Sequence, residues 1–354
     1  MDLIKVGITH GDMNGIGYEV ILKTLADNRM FEKAIFIVYG YSKAAAFYRK
    51  NLGLEEANLN IIKSPKDALP KCINIINCIE DDLKVEMGIA TPEAGRIAFL
   101  ALEKATDDLK DKFIDILVTA PINKNTIQSE SFNFKGHTEY LENKTGAENS
   151  LMFFVSDSMR VALATNHLPI SQVPNALTED LILKKLSLLN KSLKEDFLIP
   201  LPRIAVLALN PHASDDGLIG NEENEIIIPA LKKAQQNGII CVGPLAADGF
   251  FWSGAYASYD AVLAMYHDQA LAPFKIMCME DGVNYTANLP FVRTSPTHGT
   301  AYDKVGKQQS EEASFRHAIY LAMDVFENRK RFAEMSKNPL QIKNNFFRTF
   351  VLFV

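Results

Sequence analysis

Short apolar runs rich in β-branched residues, bounded by turn residues, alternate along this chain with longer stretches whose apolar positions recur every three or four residues. The first kind reads as strand and the second as amphipathic helix, and their alternation predicts a parallel sheet with crossover helices. Strands are predicted at Lys5–Thr9, Ala34–Tyr39, Ile114–Thr119, Val161–Thr165, Ile204–Leu209 and Ala261–Met265. Thr91-Pro92-Glu93 offers an N-cap, a proline at the first helical position and an acidic first turn, after which Ile97, Leu100 and Ala101 begin an apolar stripe. A second helix is predicted over Thr178–Lys194, where Ile182, Leu186, Leu189 and Leu193 share one face. Met152–Val155 and Arg160–Thr165 flank Ser156-Asp157-Ser158 and predict a hairpin, an antiparallel insertion into the α/β pattern. No internal repeat or low-complexity linker interrupts the chain, so two domains joined by crossing strands are expected. The end, Asn344–Val354, is unusually apolar; it is too short to span a bilayer, which needs roughly 20 residues, and reads as a tail docked on its own domain or on a partner subunit.

Composition narrows this picture. A length of 354 residues suits about two domains, and 47% hydrophobic with 23% charged residues is ordinary for a soluble globular chain. A net charge of -6 argues against a nucleic-acid partner. An anionic substrate stays open, because a few convergent cations outweigh the global balance inside a cleft. Cys72, Cys78, Cys241 and Cys278 form no CxxC pair and read as free thiols of a reducing cytosol. Glycine and charge interrupt the first residues before a secretory apolar core forms, and no apolar run is long enough for a membrane helix, so a cytoplasmic protein is expected.

Three histidines share one context. His167, His212 and His267 each follow the carboxyl end of a predicted strand, the edge where open α/β sheets bind ligands. A solitary histidine is more often a packing residue; three with the same placement point to a metal site, with neutral imidazoles suited to Zn²⁺ or Co²⁺. Asp268, Asp248, Asp215 and Asp216 are near in sequence and are candidates to complete or orient such a site. Glu222, Glu223 and Glu225 read instead as the acidic first turn of a helix. The segment Gly11–Gly17 joins the first strand to the first helix; it is either a ligand-approach loop or simply a tight turn, and it lacks the P-loop and dinucleotide fingerprints. Gly136-His137-Thr138-Glu139 clusters hydrogen-bonding side chains on a glycine turn, with a helix N-cap at Thr138 as the equal alternative. The loop Asn284–Ser295 sets Arg293 among hydroxyls and amides, and Lys275 adds a second cation: the makings of a phosphate or carboxylate clamp.

Taken together, Gly136-His137-Thr138-Glu139, Leu209-Asn210-Pro211-His212-Ala213, Ala264-Met265-Tyr266-His267-Asp268-Gln269, and Leu289–Ser295 with His298-Gly299-Thr300-Ala301 resemble the 4-hydroxythreonine-4-phosphate dehydrogenase family, collinearly from about Val6 to about Met323. The resemblance implies an isocitrate/isopropylmalate dehydrogenase-like fold of two α/β/α domains with the active site in the cleft between them. Residues 1–135 and 270–335 would form the first domain, residues 136–269 the second, with metal ligands and dimer contacts, and 336–354 a tail. It implies a homodimer whose metal site, for Zn, Mg or Co, draws on both subunits through His167, His212 and His267. It places substrate on His137, Thr138, Lys275, Asn284 and Arg293, and NAD or NADP on His298, Gly299, Thr300, Ala301 and Asp303. Three departures stand out: His10 where the family usually has Pro, Met13-Asn14 in place of Pro-Ala, and Pro296-Thr297 in place of a hydrophobic residue and Asp.

The implied reaction is NAD(P)-linked oxidation and decarboxylation of 4-phosphohydroxy-L-threonine to 3-amino-2-oxopropyl phosphate, in vitamin B6 synthesis. A divalent cation would acidify the substrate hydroxyl and stabilise the enolate left by loss of CO₂. Asp248, Asp268 and a water on the metal are candidates for the general base. The rival readings are a paralogue acting on threonate or erythronate 4-phosphate, a zinc hydrolase, which lacks HExxH, and a non-catalytic metal binder.

Overall fold

A computed structural model describes residues 3–147, 149–307 and 309–337. The apolar segment Asn344–Val354 lies outside these residues. The strands are β1 (Ile4–Thr9), β2 (Ala34–Gly40), β3 (Leu59–Ile62), β4 (Ile73–Asn77), β5 (Ile116–Thr119), β6 (Leu151–Val155), β7 (Arg160–Leu163), β8 (Arg203–Leu207), β9 (Ile240–Leu245), β10 (Ala261–Ala264), β11 (Val283–Ala287) and β12 (Val292–Pro296). They form one sheet in the order β3-β4-β2-β1-β5-β12-β11-β6-β7-β10-β8-β9. All six predicted strands are present, each within two residues at either end. The mostly parallel ladder turns antiparallel only where β6 meets β7 and where β11 meets β6 and β12. The predicted β6–β7 hairpin is therefore there. The segment Asn284–Ser295, expected as a loop, is instead mostly the β11–β12 hairpin at the middle of the sheet.

Helices cover both faces, so strand side chains alternate between two buried environments rather than between core and water. In β2, Phe36 and Val38 enter one apolar core while Ile37 and Tyr39 enter another. The first core is continuous along its face, from β2 through Tyr285 and Val292 to Val206 of β8. The opposite face carries two separate clusters. One is built on Leu117 and the helix Pro92–Lys110, the other on Met152, Phe154 and Phe274. Between these two clusters the sheet presents polar residues.

The helix predictions hold for local reasons. Thr91 accepts from the amide of Ala94 and Pro92 opens the helix Pro92–Lys110; Thr178 accepts from that of Leu181 and opens Glu179–Glu195. The Gly11–Gly17 turn is packed against its neighbours and not left open for an anion. A side chain at Gly15 would stand 2.7 Å from the carbonyl oxygen of Thr300, and one at Gly11, which has φ +71°, would stand 2.2 Å from that of Pro121. Asn14, one of the departures, staples residues 86–91: its side chain accepts from the amide of Glu86 and donates to the carbonyl of Ile89.

Candidate active site

The polar stretch of sheet is the floor of a cleft of about 320 Å³. Strands β11 and β12 alternate up to Ser295. Val283, Tyr285, Ala287 and Val292 go into the continuous core, whereas Asn284, Arg293 and Ser295 line the cleft, with Thr119 at the end of β5 beside them. The helix His137–Thr145 begins on one wall and the helix His267–Met277 on the other. Neither has a side-chain cap, so amide N–H groups of both first turns are left for a ligand. Thr138 is thus no N-cap: the cap position falls on Gly136, and the Thr138 hydroxyl lies 3.5 Å from that of Thr286.

Arg293 dominates the electrostatics. It is only 2% exposed, and its guanidinium donates to Thr119 Oγ1 from Nε (3.2 Å) and Nη2 (2.6 Å) and to Thr286 Oγ1 from Nη1 (3.0 Å). None of its partners is a carboxylate. Burial pulls its pKa down to about 10, with Glu139 opposing, so it remains a cation. His137, at the start of its helix, has a buried Nε2 without a partner; burial, then the charges of Arg293 and Lys124, hold it neutral, well below the usual range. Asn284 also keeps a buried, unpartnered Oδ1. A buried cation and unpartnered donors and acceptors around one volume describe a site built for a polar anion.

The cleft brings together His137, Thr138, His167, His267, Lys275, Asn284, Arg293, His298 and Gly299. The rings of His167 and His267 lie 5.7 Å apart, centroid to centroid. His267 Nδ1 is 2.7 Å from Asp268 Oδ1, and His167 Nδ1 is 3.8 Å from Glu139 Oε1. With each Nδ1 turned to a carboxylate, each Nε2 is the nitrogen left to bind a cation, a donor set that fits a divalent metal.

His212 does not line the cleft. It is exposed, on a loop whose residues His212–Asp216 all have left-handed φ (54°, 52°, 67°, 47° and 55°). Glu223 is more than the acidic helical turn read from sequence. It is 1% exposed, and its carboxylate accepts from the amides of Leu209 and Asn210, both 2.8 Å away, so it anchors the root of that loop. Among the described residues of one chain, no three His, Cys, Asp or Glu side chains converge as a ligand set. Asp248 is exposed in the helix Ala247–Trp252 and does not line the cleft, and Asp268 reaches it only through His267.

A second cavity, about 510 Å³, shares Lys275, Thr297 and His298 with the first and is lined by Ala301 and Lys304. The loop between them is fixed from behind: the carbonyl of Thr300 accepts from the amide of Ile16 (3.0 Å), and Tyr302 donates to Asp12 (2.8 Å). The Thr300 carbonyl is thus engaged in the fold, and neither Thr300, which is partly exposed, nor the exposed Asp303 lines either cavity. Two further residues line the first cleft: Lys124, which the sequence analysis does not single out, and Glu139, which it names in the Gly136–Glu139 cluster without a role of its own. The strand-end rule that selected the histidines finds Lys124 as well, five residues after Thr119.

The same chain matches known proteins over most of its length. The family model described as "Pyridoxal phosphate biosynthetic protein PdxA" matches residues 24–322. A Bacteroides thetaiotaomicron protein named 4-hydroxythreonine-4-phosphate dehydrogenase is 54% identical over 339 residues, 96% of this chain and 93% of that one. The crystal structure of 4-hydroxythreonine-4-phosphate dehydrogenase from Klebsiella pneumoniae superposes with a TM-score of 0.77 at 32% identity, covering 92% of this chain and 98% of that one. An Oceanobacillus iheyensis relative, 36% identical over 90% of this chain and 97% of its own, is provisionally named a D-threonate 4-phosphate dehydrogenase.

Proposed function

Because this chain belongs to the PdxA family of pyridoxal phosphate biosynthetic proteins, we propose that its cleft oxidises and decarboxylates 4-phosphohydroxy-L-threonine with NAD or NADP as acceptor. The observation that carries the reading is Arg293, a buried cation held by hydroxyls alone and facing the cleft. A phosphate monoester supplies the charge it lacks, and Lys275, Lys124 and the helix amides beside His137 converge on the same volume. Asn284 and Thr138 offer directional partners for the substrate's remaining polar groups, which fixes the reacting C–H relative to the coenzyme. The coenzyme would lie along the second cavity, with His298 and Gly299 at its junction with the first.

His167 and His267 would hold a divalent cation, Zn²⁺, Co²⁺ or Mg²⁺, whose contribution is to lower the pKa of the substrate hydroxyl and stabilise negative charge on oxygen. A second copy of the chain would supply His212, giving a homodimer with shared sites. Two features support this. The His212 loop is strained and displayed at the surface rather than folded inward. Apolar side chains are also exposed beside it, Leu218 and Ile219 just after the loop and Ile240 and Val242 on edge strand β9, which packs against it.

The deciding assay is NADH or NADPH formation from 4-phosphohydroxy-L-threonine beside threonate 4-phosphate, before and after chelation and with Zn²⁺ or Co²⁺ restored. Turnover of the amino acid, lost on chelation and regained with metal, is expected. Preference for threonate 4-phosphate would move the protein to the sugar-acid branch. For the shared site, subunits carrying His212→Ala and His267→Ala, each inactive alone, should regain activity when mixed under conditions of exchange, because half the sites of a mixed dimer recover both histidines. A mixture that stays inactive despite proven exchange rules the shared site out.

A further inference from the structure

Glu139 has no role in the reading above, yet it is the one carboxylate among the residues lining the first cleft. It shares that cleft with Arg293, Lys275 and Lys124, and none of them is its ion-pair partner. Its carboxylate approaches His167 instead, with Oε1 3.8 Å from Nδ1. That nitrogen is buried and has no hydrogen-bond partner, so Glu139 is the acceptor within reach of it. The other imidazole of the pair repeats the arrangement, with His267 Nδ1 2.7 Å from Asp268 Oδ1. Both carboxylates stand in the first turn of a helix, where a negative charge is favoured: Glu139 in His137–Thr145 and Asp268 in His267–Met277. The two differ in constraint, since the Asp268 side chain is 84% exposed and the Glu139 side chain 29%. Water can replace Asp268 far more easily than Glu139.

We propose that Glu139 is the positioning residue of this site. Its carboxylate receives the Nδ1–H of His167, fixes that tautomer, and leaves Nε2 as the free donor facing the cleft. A neutral imidazole carries one ring proton, so a partner that holds the proton on Nδ1 decides which nitrogen can bind a cation, and it raises that nitrogen's basicity. The inference deepens the metal reading and rests on it for its consequence, though the tautomer claim stands apart from it.

Two measurements separate the claims. The first is ¹⁵N NMR of the histidine rings in metal-free protein at alkaline pH, where neutral imidazole is observed. His167 should be protonated on Nδ1 in the wild type and should shift toward the Nε2–H form in Glu139→Ala. The second is calorimetric titration with Co²⁺ of the wild type, Glu139→Ala, Glu139→Gln and His167→Ala. His167→Ala should lose the site. Glu139→Ala should bind about 10- to 100-fold more weakly, and Glu139→Gln, which keeps a neutral acceptor, should fall between that variant and the wild type. If Glu139→Ala does not fold, the affinity of Glu139→Gln decides. Wild-type Co²⁺ affinity in the folded Glu139 variants, with the site lost in His167→Ala, overturns the proposal and spares the metal reading. Wild-type affinity in His167→Ala overturns the metal reading, and the NMR result then judges Glu139 alone.

Discussion

Two arginines flank the β11–β12 hairpin, Arg293 buried and Arg329 partly buried, and their surroundings are opposites. On the core side, Arg329 donates from Nε to Asp196 Oδ1 (2.6 Å), from Nη1 to the carbonyl of Leu289 (3.1 Å) and from Nη2 to the hydroxyl of Tyr285 (2.9 Å). Tyr285 in turn donates to the other oxygen of Asp196, and burial opposes but does not overcome these partners, which leave Arg329 more basic than usual. On the cleft side, Arg293 has hydroxyls alone and is made less basic by burial. A cation paired with a buried counter-charge inside the chain serves the fold. One without it costs stability in the free protein and recovers that cost from a ligand.

Substitution should pull the two apart. Arg329→Ala leaves Asp196, whose side chain is 3% exposed, without its cation, and should cost roughly 3–5 kcal/mol of stability in a denaturant titration while kcat/KM per folded molecule stays near wild type. Arg293→Ala should do the reverse. It should lower kcat/KM by on the order of 2–4 kcal/mol, leave stability little changed, and lose the rise in Tm that inorganic phosphate gives the wild type. Unaltered kcat/KM in Arg293→Ala would erase the distinction between the two arginines.

His10 sharpens the comparison, because a histidine can answer burial by staying neutral. It is fully buried, its Nδ1 lies 3.2 Å from the carbonyl of Tyr39 and its Nε2 has no partner; burial outweighs that carbonyl and brings its pKa down to about 4. The unfolded chain takes up this proton near pH 6.5 and the folded chain only near pH 4, so stability present at neutral pH is lost as the pH falls through that window. At pH 5 the loss from His10 should be about 2 kcal/mol, read as the difference in unfolding free energy between pH 7.5 and pH 5. His10→Asn should flatten much of that difference, leaving the shares of His137 and His298, which burial shifts in the same direction. An unchanged pH dependence in His10→Asn would assign the acid sensitivity elsewhere.

Much of this was legible in the residues, and the failures have physical causes. Strands such as Ala34–Gly40 are apolar on both faces because helices cover both, and they announce themselves. The floor strands do not, since on one face their neighbour is a ligand. Val283-Asn284-Tyr285-Thr286-Ala287 alternates apolar and polar, as a half-wet strand should, yet its amides and the nearby arginine were read as loop chemistry. β9 hides behind Gly243-Pro244, and β4 behind the fully buried Asn74, whose amide donates to Phe36 O and Leu69 O. The strand-end rule brought His167 and His267 into one cleft because β7 and β10 are adjacent. It gave no sign that His212, beyond the next strand over, would stand apart, because periodicity does not encode a run of left-handed residues.

The continuity of the sheet has a mechanical consequence. Hydrogen-bonded ladders run unbroken from β5 through β12 and β11 to β6, directly beneath the cleft. The two halves of the sheet are therefore joined by paired strands and not by a loop, so a change in their relative orientation would have to twist or bend that floor. The walls are built differently, from the segment around Lys124, the turn at Gly136 and the start of the His267 helix. Asn284, Arg293 and Ser295 stand on hydrogen-bonded neighbours, so the spacing among them is set by the ladder rather than by the loops around the cleft.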